Sequence, residues 1–295
     1  MKKPLLLDGA MGTELQKRGV GIPLTIWTAD ANIDHPDIVI DIHKDYIKAG
    51  ANIITTNTFR TTSWTYKKTG LTISRSNERA KNSLYKAVEC AHNASVGLVK
   101  VAGSISSIDD CYQPEKFPGR SFAEDIYGQT LDWVIDAGVD ILLFETMGSL
   151  TEIDVALSLA NKYEIPIWLS IIMKNEIQIL DGTHLNQIIH LAKKYAVDCL
   201  LTNCNEIEKT LLSIESIVPM WDKKWGVFPN LGIVDYGNEY FEIIDKTNFS
   251  IKMKNIFKKK PDVVGGCCGS SPEHIKILSN ILKEENHCEI ENKSF

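Results

Sequence analysis

Eight short apolar or β-branched runs recur along the chain, each followed by a glycine or polar turn and then a helix-like stretch. This alternation limits the available folds more than any other feature. The runs fall at residues 4–7, 51–56, 98–102, 139–144, 166–172, 197–202, 225–228 and 262–264. Their nearly continuous apolarity suits strands buried on both faces, as in a parallel sheet. Between them, His35-Pro36-Asp37 opens a helical stretch that ends at Gly50, and Ser121 opens another that ends at Gly138. Residues 149–162, 184–195, 206–218 and 272–283 read the same way. Strand and helix alternating eight times predict a single-domain (β/α)8 TIM barrel over residues 1–285, because the crossovers are right-handed and the sheet can close. A doubly wound open sheet is the alternative. The seventh repeat is the weakest: residues 232–248 show little periodicity, and the helix before Pro261 is short. The stretch from Ser104 to Gly119, with Cys111, Pro114 and Pro118, predicts a long rim loop after the third strand. Residues 286–295 are polar and are expected to form a flexible tail.

A chain of 295 residues that is 44% hydrophobic and 24% charged has the profile of a water-soluble globular protein large enough for one barrel. Its formal net charge of -6 argues against nucleic acid as a partner, since phosphate neutralisation needs a concentrated basic surface. The one basic run, Lys258-Lys259-Lys260, reads as a solvated helix end. No apolar stretch reaches the roughly 20 residues that span a bilayer, and the N-terminus has no export signal, so neither a membrane nor secretion is expected. Cytoplasmic placement follows, with the seven cysteines reduced. Cys90, Cys199 and Cys288 read as buried small hydrophobes.

Polar and metal-binding residue types gather at the C-terminal ends of the expected strands, the active-site face of this fold: Asp8-Gly9, Asn57-Thr58-Phe59, Gly103-Ser104, Glu145-Thr146, Asn203-Cys204, Pro229-Asn230 and Gly265-Gly266-Cys267-Cys268. Adjacent side chains on a regular strand point to opposite faces, so for Cys267 and Cys268 to share one metal the backbone must bend. Gly265 and Gly266 before them, and Gly269 after, are expected to allow it. Cys204, after the sixth strand, would supply a third sulfur. Three thiolates and one open position match catalytic zinc, with a net charge of minus one that suits a substrate binding as sulfur.

With Asp8-Gly9-Ala10-Met11-Gly12-Thr13-Glu14-Leu15, Ala49-Gly50-Ala51 through Thr56-Asn57-Thr58-Phe59, Ala102-Gly103-Ser104-Ile105, Phe144-Glu145-Thr146, Asn203-Cys204 and Gly265-Gly266-Cys267-Cys268-Gly269, the chain resembles the homocysteine S-methyltransferase family from end to end. That family includes the S-methylmethionine-dependent and betaine-dependent enzymes and the homocysteine module of cobalamin-dependent methionine synthase. The resemblance implies one Zn2+ ion on Cys204, Cys267 and Cys268, completed by the homocysteine thiolate. It also implies Asp8 and Glu145 on the substrate ammonium, backbone of Gly9, Ala10 and Met11 on its carboxylate, and Asn57 among the substrate-binding residues. The chain departs from the family at Ser106-Ser107, where glycine and proline are usual, and at Leu231, where a small residue is usual.

A thiol with pKa near ~8.5 is mostly protonated at neutral pH, and zinc coordination removes that proton to make the nucleophile. With little sequence after Cys268, the expected donor is a small molecule: S-methylmethionine first, then S-adenosylmethionine, with betaine or a separate corrinoid protein as alternatives. Trp27, Phe59, Trp64 and Tyr112 are candidates to face a sulfonium. A non-catalytic zinc-binding or redox-sensing barrel is the rival reading.

Overall fold

The computed structural model describes residues 3–235 and 240–291. Its strands are β1 (Leu5–Leu6), β2 (Ile53–Thr55), β3 (Lys100–Ile105), β4 (Ile141–Met147), β5 (Ile167–Ile171), β6 (Cys199–Glu206), β7 (Lys224–Asn230), β8 (Gly232–Asp235), β9 (Tyr240–Ile243) and β10 (Val263–Val264). Eight of them form one parallel sheet in the order β1-β10-β7-β6-β5-β4-β3-β2. A parallel bridge between Leu7 and Ile53 joins the two ends, reinforced by the Asn52 N–H donating to Leu6 O at 2.7 Å and the Leu6 N–H donating to Asn52 Oδ1 at 2.9 Å. The sheet is therefore closed, and the open doubly wound alternative is excluded.

The β/α rhythm corresponds to the expected order, with helices at Pro36–Ala49, Arg120–Asp136, Leu150–Ala160, Leu185–Lys194, Ile207–Ile217 and Pro272–Glu291. Pro36 sits in the first turn of its helix, where its missing N–H costs nothing, and Gly50 ends that helix at φ 117°. Two features depart from expectation. A helix at Ile73–Ser95, the longest of the described residues, fills the second crossover. In the seventh repeat, β8 and β9 form an antiparallel hairpin before a full helix at Lys246–Phe257, which Asp245 caps by accepting the Thr247 and Asn248 N–H groups at 3.0 Å each. The last helix runs on to Glu291, and residues 292–295 of the expected tail lie outside the described residues. No helix among the described residues is long and apolar enough to cross a membrane.

Strand alternation divides the core into two layers. Leu7, Ile53, Ala102, Leu143, Trp168, Leu201, Phe228 and Val263 fill the barrel interior, while their neighbours Leu6, Ile54, Val101, Leu142, Leu169, Leu200, Val227 and Val264 pack outward against the helices. Each Val, Leu, Ile or Phe side chain among them contributes roughly 1.5–3 kcal/mol of burial. The interior layer is a solid plug beneath the C-terminal mouth. Cys199 belongs to that plug and Cys90 to the outer layer, as small apolar fillers; the side chain of Cys288 lies outside the described residues.

Candidate metal centre and substrate cavity

Two residues beyond the plug, the same inward parity places Thr55, Ser104, Glu145, Ser170 and Asn203 on β2 to β6. The interior thus changes from apolar to polar within one alternation. Parity alone would turn Cys204 outward, towards the helices. Instead Cys204 takes a left-handed backbone, φ 54°, and the β6–β7 register shifts between Asn203 and Glu206. Thr146 does the same on β4, with φ 59° and a register shift against β5 between Phe144 and Met147. Non-glycine residues in that region cost on the order of 1–3 kcal/mol each unless their surroundings hold them.

Asn203 does the holding. Fully buried, it accepts the Thr146 N–H at 2.9 Å and the Ser170 hydroxyl at 2.7 Å on Oδ1. Its Nδ2 donates to Thr146 Oγ1 at 2.8 Å and to Cys267 Sγ at 3.9 Å. Asn203 was read from sequence only as the neighbour of a cysteine, and nothing in its spacing announced this role.

Cys267 follows β10 and donates its N–H to Pro229 O at 2.9 Å, while the Leu231 N–H at the base of the hairpin donates to Cys268 O at 3.0 Å. Cys267 and Cys268 lie beyond the end of β10, in a turn that the Ser270 N–H closes by donating to Cys267 O at 3.0 Å, with Gly269 at φ 81°; Gly265 and Gly266 have no positive φ. Gly266 serves close approach: a Cβ there would sit 2.6 Å from Ser270 Cβ. Cys204 and Cys267 touch sulfur to sulfur, in the pairing of a disulfide, with Cα atoms 5.7 Å apart. With Cys268 they form the one group of three possible ligands among the described residues, all three sulfurs lying within 4.8 Å of one another. Three converging sulfurs, with Cys268 partly open to the cavity, fit a borderline-soft ion in tetrahedral coordination with one position left for an incoming ligand.

Beside the sulfurs stand two carboxyls. Asp8 is 3% exposed and accepts the Thr55 N–H at 2.8 Å and the Thr55 hydroxyl at 2.9 Å. Burial pushes its carboxyl up to about 8 despite those bonds, and the nearby Glu145 adds to the rise. Glu145 accepts a hydrogen bond from Ser104 Oγ, and burial raises it to about 7. Buried acids this close to ionising are suited to a cationic partner that would hold them charged.

All of these groups line one cavity of about 780 Å³, together with Gly9, Ala10, Met11 and Asn57. The loop carrying Gly9 is pressed against the cysteine loop: the Ala10 N–H donates to Ser270 Oγ at 2.9 Å and the Tyr46 hydroxyl donates to Ala10 O at 3.1 Å. The Ala10 amide proton is thus already committed, whereas Gly9 and Met11 present their backbone beside it. Asn57 lines the wall, but its side chain turns inward: Nδ2 donates to Thr28 O at 2.9 Å and Asn32 Oδ1 at 2.8 Å, and Oδ1 accepts from Thr28 Oγ1 at 2.5 Å. Of the aromatic candidates, Trp27, Phe59 and Tyr112 line the cavity. Trp64 stands behind it, its indole N–H on Asp109 Oδ2 at 3.0 Å and its ring edge-on to Phe122 at 5.0 Å. The loop after β3 forms part of the rim, as expected, and brings Asp109, Asp110, Cys111 and Tyr112 to it.

Residues 5–282 match the family model described as homocysteine S-methyltransferase. The chain belongs to the homocysteine S-methyltransferase family. Among other members, it is 28% identical to homocysteine S-methyltransferase 2 of Zea mays, over 95% of this chain and 90% of that protein. It is 27% identical to the homocysteine S-methyltransferase of Escherichia coli strain K12, over 93% of this chain and 94% of that one. The metallated form of the homocysteine methyltransferase MmuM from Escherichia coli superposes with a TM-score of 0.83 at 25% identity, covering 94% of this chain and 96% of that one. In this member of the homocysteine S-methyltransferase family, the three cysteines that could hold a metal come from the two motifs, Asn203-Cys204 and Gly265-Gly266-Cys267-Cys268-Gly269, that carry the resemblance in sequence.

Proposed function

We propose that the protein transfers a methyl group from a small sulfonium donor, S-methylmethionine ahead of S-adenosylmethionine, to the thiol of homocysteine, giving methionine. The observation that carries this reading is the meeting of three cysteine sulfurs within 4.8 Å of one another in the cavity that Asp8 and Glu145 also line. A zinc ion held by Cys204, Cys267 and Cys268 would supply the charge that keeps the substrate thiol deprotonated at neutral pH.

The chain's own residues bind and orient. Asp8 and Glu145 take the homocysteine ammonium and give up their protons to solvent as it arrives. The backbone of Gly9 and Met11 receives the α-carboxylate, and Asn57 holds that wall in place through Thr28 and Asn32. The plug of Leu143, Trp168, Leu201 and Phe228 excludes water from below, so the thiolate faces only the donor. Trp27, Phe59 and Tyr112 face the sulfonium, whose positive charge vanishes as the methyl moves. Moderate aromatic stabilisation suits that change better than a fixed anion would. Three thiols that must stay reduced agree with the cytoplasm as the working compartment.

A non-catalytic zinc store or redox sensor would need the sulfurs but would have no use for Asp8 and Glu145, whose burial costs stability. The test is an assay of purified, reduced, zinc-loaded protein with homocysteine against S-methylmethionine, S-adenosylmethionine, betaine and a methylated corrinoid protein, with methionine quantified. Methionine from a sulfonium donor supports the reading. No methionine from any donor sinks it.

A further inference from the structure

We propose that Arg60 forms a carboxylate-binding subsite for the methyl donor, so that the protein selects sulfonium donors carrying an amino-acid carboxylate. This rests on the donor reading above and assigns that donor a contact.

Three cations line the cavity: Arg60, Lys68 and Lys116. Lys68 is taken by Asp109 at 2.7 Å, and Lys116 lies 3.9 Å from Asp110. Arg60 makes no ion pair among the described residues. Its guanidinium is nevertheless fixed, because Nη1 donates to Ser107 O at 3.2 Å and to Asp109 O, and its Cζ lies 5.1 Å from the centre of the Phe59 ring. The buried acid whose charge it feels, Glu152, is committed to the Ile108 N–H at 2.8 Å and the Tyr127 hydroxyl at 2.9 Å. Nη2 and Nε therefore offer N–H donors, in a fork already held rigid at one end, to whatever enters the cavity. A pre-positioned guanidinium with spare donors matches a carboxylate in two-point contact, which an ammonium cannot imitate.

Charge across the cavity gives the direction. The sulfurs, Asp8 and Glu145 occupy the floor, whereas the loop after β2 presents the one unpaired cation of the lining among the described residues. A donor with its sulfonium towards the sulfurs can set its carboxylate towards Arg60, where opposite charges meet.

The test compares S-methylmethionine with its decarboxylated analogue, dimethyl(3-aminopropyl)sulfonium, in wild type, Arg60→Met, Arg60→Lys and Arg60→Gln. Donor binding to the zinc-loaded protein is followed by calorimetry alongside turnover. A charge-assisted contact sets a preference of roughly 10- to 100-fold in kcat/KM for the carboxylate-bearing donor in wild type. Arg60→Met should collapse that ratio, Arg60→Lys should retain part of it, and the homocysteine KM should not follow the ratio. Arg60→Gln keeps an amide donor for the Ser107 and Asp109 carbonyls and carries the same test should Arg60→Met fail to fold. An unchanged ratio in these variants, or a loss confined to homocysteine binding, overturns the subsite alone. A wild-type protein that binds homocysteine yet uses neither sulfonium overturns the donor reading, and the subsite with it.

Discussion

The side-chain amide of Asn203 donates to Cys267 Sγ at 3.9 Å, linking a buried residue of β6 to a sulfur that follows β10. The same side chain holds the left-handed Thr146 after Glu145, so one residue positions a sulfur and steadies the backbone that presents a carboxyl. Asn203→Ala should weaken zinc affinity roughly 10- to 100-fold, the usual cost of losing a partner behind a metal ligand. Titration against a competing chelator reads this directly, and an affinity equal to wild type would remove Asn203 from the centre.

Cys268→Ala should abolish stoichiometric zinc binding and methyl transfer together. Two sulfurs cannot complete the set, and Cys204 and Cys267 are then left free to pair. Metal content by mass spectrometry and methionine formation are measured on the same preparation. Full turnover in metal-free protein would exclude zinc activation of the thiol.

Asp8→Asn and Glu145→Gln should each raise the homocysteine KM by roughly 10- to 100-fold, the value of one charge-assisted hydrogen bond, while leaving zinc content at wild-type level. Methyl transfer at subsaturating homocysteine that is unaffected in both variants would show that the ammonium binds elsewhere.

The same carboxyls set a pH dependence. Asp8 at about 8 and Glu145 at about 7 stay protonated in the folded protein after the unfolded chain has released its protons, so both reduce stability as pH climbs from about 4 towards 8. His43 and His274, buried and pushed down to about 4, act oppositely: they cost stability as pH falls below about 6.5. The two pairs offset each other between, and above about 6.5 the carboxyls stand alone. Thermal melting of reduced, metal-free, substrate-free protein should therefore fall from pH 6.5 to 8, and Asp8→Asn should flatten the fall. A melting temperature that rises over that interval would contradict the assignment.

Much of this was legible in sequence because buried parallel strands leave continuous apolar runs, and each of the eight runs contains or overlaps a barrel strand. The cysteine trio was legible because Gly265-Gly266-Cys267-Cys268-Gly269 is hard to explain as packing. The helix at Ile73–Ser95 was less so, because Leu84 and Val88 are the only large aliphatics on a buried face otherwise made of Ser76, Ala80, Ser83, Ala87, Cys90, Ala91, Ala94 and Ser95. The β8–β9 hairpin shows no strong alternation, and its base is tied to the cysteine loop by the Leu231 N–H on Cys268 O. Asn57 and Trp64 both fall in the crossover after β2, Trp64 on a short helix at Ser63–Lys67, but spacing along the chain does not say which way a side chain turns. Thr28, Asn32 and Asp109 decide that.

Closure of the barrel through a two-residue strand has a consequence for how the sulfurs meet. β10 joins β7 to β1, so Cys267 and Cys268 come beside Cys204 only once that short strand has docked between partners drawn from distant parts of the sequence. The three-sulfur group is therefore an outcome of ring closure, and no portion of the polypeptide lacking β10 can offer all three ligands to one ion.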